Sequence, residues 1–457
     1  MIKQTAPLAL AMALAGCMSL APKYERPAAP VAPAFAEASP AGEAAAAIAW
    51  QRFFEDARLR QLIDLALANN RDLRVAVLNI EQARAQHQIR RADQLPTIGA
   101  GVTGSRTPGE NDSIKSSYSA GLMVSAFELD LFGRVRSLSD AALAQFLATE
   151  EARKGVHISL VASVANAYLA LLADEELLAL TRQTLGAREE SLKLIQLKYD
   201  NGVVSKLDLQ QGLSLFDSAR VVLAQQQRQR AQDGNLLTLL VGQPLPDTLA
   251  PPSTLAATAL AELPAGLPSE LLGVRPDIRA AEQQLIAANA SIGAARANFF
   301  PRIALTGSAG SASSELSGLF KSGSWGWTFA PQAILPLFDF GRNRATLGSA
   351  KAGRDIAVAQ YEKAIQTAFR EVSDALAGQA TYGEQLRAQR AVAAAEAERF
   401  TLSELRYRSG AASYLDLLDA QRSLFAAQQA AVQANLQRLQ NQVTLYRVLG
   451  GGWNATQ

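Results

Sequence analysis

Apolar positions along this chain keep two periods, and the order of periods occurs twice. Over residues 69–93, positions 73, 77, 80 and 84 (Leu73, Val77, Ile80, Arg84) share one face of a helix among polar residues. Asn70 is placed to cap that helix, Asp72 lies in its first turn, and Pro96 ends it. The period then falls to two. In 97–105, Ile98, Ala100 and Val102 alternate with Thr97, Gly99, Gly101, Thr103 and Ser105. In 117–127, Tyr118, Ala120, Leu122, Val124 and Ala126 alternate with Ser117, Ser119, Gly121 and Ser125. Each predicted strand has one apolar face and one face of small polar residues, the pattern of lipid-facing barrel strands. Between them 106–116 is polar, with Pro108, Gly109 and Asn111, and reads as a loop or hairpin end. From Val135 to Tyr199 there is no proline and a dense Ala/Leu pattern, which predicts one helix of roughly 100 Å at 1.5 Å per residue. Its alanines, among them Ala141, Ala144, Ala162 and Ala165, suit close contact with neighbouring helices.

A turn at Gly202 and a helix from Leu207 to about Leu240 follow. After a Pro/Ala/Leu-rich linker over 243–272 the whole order repeats. Pro276 and Asp277 open a helix that Pro301 ends. Strands are predicted at 302–310 and 324–337, and a second long helix runs to Tyr407. Gly202, Ser205 and Asp208 recur 208 positions later as Gly410, Ser413 and Asp416. Phe132-Gly133-Arg134 recurs at the same interval as Phe340-Gly341-Arg342. The chain is therefore an internal duplication: a first repeat over 50–242 with its hairpin tip at 199–206, and a second over 273–457 with its tip at 407–414. At both tips glycine supplies the positive φ that ends a helix, and Ser-x-x-Asp starts the next with a capping box.

Composition narrows the class. The 457 residues carry a net charge of only +2, which argues against a nucleic-acid partner. One Cys and two His rule out a disulfide framework and leave no His/Cys metal site to expect. Charged residues are 19% and apolar residues 49%, a balance suited to a protein that hides much of its surface. No phosphate-binding glycine loop is present and no cofactor is expected; His87 and His157 have solvated or packing roles, and the chain is not an enzyme.

The N-terminus reads as an address. Lys3 precedes a short apolar core over 7–15, too short to span a bilayer. Leu14-Ala15-Gly16-Cys17 resembles the bacterial lipoprotein cleavage site. This predicts a signal peptide over 1–16, a lipidated Cys17, and an extended tether over 17–49 rich in Pro and Ala. Met18 lacks the aspartate that retains lipoproteins at the inner membrane, so the outer membrane is the expected site. Beyond the signal no uninterrupted apolar run approaches 20 residues, so any membrane crossing must use strands. Four strands cannot close a barrel, and an open sheet in lipid leaves its edges unpaired. The barrel must be shared among copies related by rotation. Two copies would supply eight strands and three would supply twelve; spacing alone does not choose.

Six features together resemble the TolC-type outer-membrane efflux proteins, in the lipid-anchored OprM/NodT-like branch. They are the Cys17 site, Asn69-Asn70-Arg71-Asp72-Leu73, the FGR pair, LPSELLGVRPDI (267–278), YRSGAASYLDLLDAQRSLF (407–425), and Leu449-Gly450-Gly451-Gly452-Trp453. The resemblance covers the whole mature chain. It implies a mixed α and β fold: a homotrimer with a 12-stranded membrane barrel, continued by a periplasmic α-helical coiled-coil barrel. It also implies a passive conduit for small molecules such as drugs, docked through a periplasmic adaptor to an inner-membrane, proton-driven transporter.

The resemblance places a closable gate at the tips. Asp208, Asp416 and Asp419 match gate carboxylates, Tyr407 matches a tyrosine that hydrogen-bonds across the closed tip, and Arg422 matches an arginine of the lipid-anchored branch. Symmetry would turn each inward side chain into a ring of three, and a ring of Asp attracts cations while repelling itself. Capping alone equally explains Asp208 and Asp416. Asp419 has no capping role, and Arg422, three residues on, is its nearest expected partner. Position 412 is Ala, where some relatives carry a bridging Arg. Trp325 and Trp327 share parity with Phe329 and Leu335, which favours membrane-interface anchors over a lumen constriction. Two rival readings remain: a type I protein-secretion conduit of the same fold, and a periplasmic coiled-coil adaptor.

Overall fold

A computed structural model of the chain describes residues 19–32, 35, 45–108, 114–261, 263 and 273–453. The predicted signal peptide, Cys17, and parts of the tether and linker lie outside them. Eight helices and four strands follow in order: α1 Trp50–Phe53, α2 Ala57–Asn69, α3 Arg71–Ala92, β1 Ile98–Pro108, β2 Ile114–Leu129, α4 Arg134–Asp200, α5 Lys206–Val241, α6 Pro276–Ala297, β3 Arg302–Ser313, β4 Trp325–Ile334, α7 Arg342–Arg408 and α8 Tyr414–Val448. The long helices α4 and α7 have 67 residues each, so the duplication holds to the residue in its largest elements. By composition α4 is the one described helix able to cross a bilayer, yet 67% of its apolar window is buried, as in a core helix.

The chain forms two compact units that cut across the two repeats. The first takes the residues up to Ala29, Leu78–Glu151 and Arg279–Ala364. It holds an antiparallel sheet in the order β1-β2-β3-β4, so β1 and β4 are open edges. Partners across an antiparallel ladder share a face. The rung Ala100↔Leu122↔Ala309↔Trp327 therefore lies on one face and Thr103↔Ser119↔Ala312 on the other. The first face gathers Ile98, Val102, Val124, Leu305 and Phe329; the second is mostly small and polar, with Met123 lying over Gly99 and Gly101. On it Thr103 and Ser119 pair through their hydroxyls at 2.6 Å, and Ser308 and Thr328 at 2.7 Å.

Three strand expectations are corrected. Residues 106–108 are strand, not loop: Arg106↔Ser116, Thr107↔Lys115 and Pro108↔Ile114 continue the ladder. Pro108 is tolerated because β1 is an edge. Ala126 is not an apolar-face residue. It has φ 50° and forms a bulge between Val124 and Phe127. The extra residue moves Phe127 and Leu129 onto the apolar face and Glu128 onto the polar one. There Glu128 pairs with Arg134 at 2.7 Å and Arg302 at 2.6 Å. Finally, β4 stops at Ile334, short of 337, because β3 begins at Arg302 and offers nothing further to pair with.

Helix packing in this unit uses small residues. Ala141 and Ala144 of α4 meet Ala287 and Ala290 of α6. The N-terminal tether is clamped along α6: Arg26 and Tyr24 both donate to Glu282, Asn289 donates to the Pro22 carbonyl, and Arg296 to that of Leu20.

The second unit takes Pro30–Val77, Ala152–Ile278 and the chain from Ile365 onward. Its core joins Trp50, Phe53, Phe54 and the buried face of α2 to Tyr168, Leu169 and Tyr446. Phe53 stacks on Tyr446 at 4.1 Å. Asn70 caps α3 as expected, accepting from the Leu73 amide, and its own amide holds the Leu240 carbonyl. Arg275, from the 267–278 motif, is buried between Asp277, Glu371 and the Val448 carbonyl. His157 is buried against Trp453 in this unit; His87, in the other, stacks on Phe146.

Candidate functional site: the paired helical tips

Both tips are built by the same local rules. At the first, Gly202 has φ 72°, its amide donates to Tyr199 O, and the Val203 amide donates to Lys198 O. At the second, Gly410 has φ 76°, with bonds from Gly410 to Tyr407 and from Ala411 to Arg406. These are Schellman closures, and only glycine holds that φ without strain. Each turn hands over to a capping box. The Asp208 amide donates to Ser205 Oγ at 3.2 Å while Asp208 Oδ2 accepts from the Ser205 amide at 3.0 Å. Ser413 and Asp416 repeat this at 3.2 and 3.1 Å. Asp208 and Asp416 are thus caps, and their carboxylates are already engaged.

Between the tips Ile195, Leu209, Tyr414, Leu417 and Leu418 form a small buried cluster. Burial raises the Tyr414 hydroxyl pKa. Tyr407 lies at 5.5 Å from the Tyr414 ring. Its hydroxyl accepts from Lys198 Nζ at 3.2 Å, and that ammonium sits 4.5 Å from its ring centroid. Sequence reasoning missed Lys198. The signal was there: Lys198-Tyr199 and Arg406-Tyr407 occupy equivalent places, each a cation beside a tyrosine.

Within the chain Arg422 does not pair with Asp419. Asp419 accepts from Arg399 of α7, which also binds Glu396 at 3.1 Å, and the carboxylates raise the Arg399 pKa. Among the described residues no ion pair joins Arg422 to Asp419. Arg422 lines a groove between α5 and α8 with Arg188. Arg188 is buried, donates to Leu215 O and Ser218 Oγ, and has its pKa lowered by burial and by the Arg422 charge. The site therefore brings Tyr407, Asp416 and Asp419 to one tip, Asp208 to the other, and turns Arg422 aside. No group of His, Cys, Asp and Glu among the described residues is arranged to hold a metal.

The chain resembles known proteins along nearly all its length. The family profile "Outer membrane efflux protein" matches residues 62–243 and 267–451, one match per repeat. The antibiotic efflux pump outer membrane protein ArpC of Pseudomonas putida is 50% identical over 99% of this chain and 96% of its own. The toluene efflux pump outer membrane protein TtgC of Pseudomonas putida is also 50% identical, with the same coverage. The open-state structure of the Neisseria gonorrhoeae MtrE outer membrane channel superposes with a TM-score of 0.88 at 42% identity, over 95% of this chain and 98% of that one. A duplicated chain with an open, one-face-apolar sheet and paired helical tips, matched in both halves, belongs to the outer membrane efflux protein family, as a channel subunit of the outer membrane.

Proposed function

We propose that three copies of this chain form a passive conduit for small toxic molecules, closable at the helical tips. The observation that carries the assembly is the four-stranded sheet with one apolar face and two open edges. Such a sheet is stable in lipid only when its edges are covered. Three copies give a 12-stranded barrel. The relatives' names point to antibiotics and toluene, so apolar drugs and solvents are the proposed cargo. The open state of the MtrE channel, which this chain resembles, supports a gate. Here the gate is assigned to Asp208, Tyr407, Asp416 and Asp419, with the Gly202 and Gly410 turns as its pivots; Arg422, expected at the gate, lies beside Arg188 instead.

Energy comes from partners: a periplasmic adaptor and a proton-driven inner-membrane transporter. Acyl chains on Cys17 add anchoring, at roughly 0.8 kcal/mol per buried CH₂. The test is direct. Detergent-solubilised protein should run as a trimer by light scattering and conduct ions in planar bilayers. A monodisperse monomer that conducts would overturn the assembly. Co-purification with an ATP-driven exporter rather than a proton-driven pump would favour protein secretion.

A further inference from the structure

The duplication carries more than similarity of parts, because it fixes which residues of the two repeats are equivalent. Pro96 matches Pro301, so β1 maps onto β3 with an offset of 205. The FGR motifs map the end of β2 onto the chain after β4 with an offset of 208. Upstream of the Ala126 bulge, which β4 lacks, the offset is 209. Two observations check this mapping. It sends Ile98↔Val124 onto Ile303↔Ala333, which is a rung of the second hairpin. It sends the Thr103–Ser119 hydroxyl pair onto Ser308–Thr328, which is also hydroxyl-bonded.

The same mapping applies to the seam between the repeats. Within the chain, β2 pairs with β3 in a known register: Val124↔Gly307, Phe127↔Leu305, Leu129↔Ile303. The equivalent of β2 is β4, and the equivalent of β3 is β1. Within one copy these two are opposite edges, three strand spacings or roughly 14 Å apart. They can meet only between copies. Resting on the self-association proposed above, we infer that β4 of one copy pairs with β1 of the next in the register Phe329↔Arg106, Ala333↔Val102, Leu335↔Ala100 and Leu337↔Ile98. Every pair joins residues of the apolar face. The pairing extends β4 past Ile334, where it stops for want of a partner. It also covers side chains that now stand free: Leu337 is 78% and Ile98 67% exposed.

A side-chain contact should follow the same rule. Phe132 stacks on Phe300 at 4.7 Å inside the chain. Their equivalents are Phe340 and Leu95. Phe340 is fully exposed with φ 54°, a strained value for a bulky residue, and Leu95 is 70% exposed. In the assembled ring Phe340 seats on Leu95 of the next copy. The ion pair Glu128–Arg302 has no counterpart there, since the equivalent positions are Pro336 and Thr97. The seam between copies therefore lacks that ion pair.

Disulfide trapping tests the register. Paired cysteines link only when their Cα atoms lie within about 4.4–6.8 Å, and diagonal neighbours two residues off lie beyond this at about 7–8 Å. Val102→Cys with Ala333→Cys, and separately Arg106→Cys with Phe329→Cys, should give covalent trimers on oxidation. Val102→Cys with Pro331→Cys or with Leu335→Cys should give about a tenth as much or less. Leu95→Cys with Phe340→Cys is a third matched pair, outside the strands, should a strand variant misassemble. Light scattering of each variant reads assembly separately. Trimers that link through the offset pairs, or through no matched pair, overturn the register and leave the trimer standing. Absence of trimers in the wild type overturns the assembly itself.

Discussion

Lys198 holds Tyr407 in two ways, donating to its hydroxyl at 3.2 Å and lying 4.5 Å from its ring centroid. The lysine lies in the last turn of the long helix of the first repeat and the tyrosine in that of the second. This contact ties the two tips of one chain together. It also occupies the tyrosine that the family resemblance assigns to a bond across the closed tip.

If that tie favours the closed tip, Tyr407→Phe should raise conductance by removing the hydrogen bond while keeping the ring. Lys198→Met removes both contacts and should raise it further. Each contact contributes about 1 kcal/mol, roughly a fivefold change in the closed-to-open ratio. Single-channel recording in planar bilayers checks the order. Equal conductance in wild type and Lys198→Met would mean the contact only packs the tip.

Asp419 and Arg399 should behave as one unit. Asp419→Ala and Arg399→Ala are expected to increase conductance to a similar, few-fold extent, with vancomycin sensitivity rising in cells. The charge swap Asp419→Arg with Arg399→Asp should restore closure in part. Arg422→Ala should not mimic either single variant, because Arg422 faces Arg188 instead. A swap no better than the single variants would rule out the ion pair as a latch.

Gly121 and Gly310 face each other across β2 and β3. A Cβ on Gly121 would clash with Ala309 O, and one on Gly310 with Ala120 O. Backbone cannot yield as a side chain does, so Gly121→Ala should cost about 1–3 kcal/mol or more. Gly326, one strand over on the same rung, has nothing within 4 Å, and Gly326→Ala should be neutral. Yield and thermal stability of the solubilised protein measure both. Equal behaviour of the two variants would refute the close approach.

Asp174 links stability to pH. It is buried, and its carboxyl pKa is raised to about 7 by burial first and by the neighbouring Asp233 and Glu175 carboxylates, with Arg230 opposing. The folded state therefore holds a proton that the unfolded chain, titrating near 3.8, has released. Stability should fall as pH rises from about 4 to 7 and level off above it. Asp174→Asn should remove this component and raise the melting midpoint at pH 8 more than at pH 5. A variant with unchanged pH dependence would place the effect elsewhere.

The sequence alone determined whatever depends on a few neighbouring residues. The Gly202 and Gly410 closures, the Ser205/Asp208 and Ser413/Asp416 boxes and the Asn70 cap are local hydrogen bonds, written in spacings of three to six residues. The strand faces were legible for the same reason, since alternation needs only consecutive positions. The duplication was legible because the same local signals recur at one interval. Tertiary structure decided what depends on how one helix is rotated against another. Arg399, twenty positions before Asp419, is its partner because α7 and α8 turn those faces together, while Arg422 on nearly the same stretch is turned toward α5. Lys198 meets Tyr407 across 209 positions by packing of the two hairpins. The Ala126 bulge, too, shows only in the pairing of β2 with β3: one extra residue is invisible to alternation until a partner strand fails to match it, and it alone puts Glu128 beside Arg134 and Arg302.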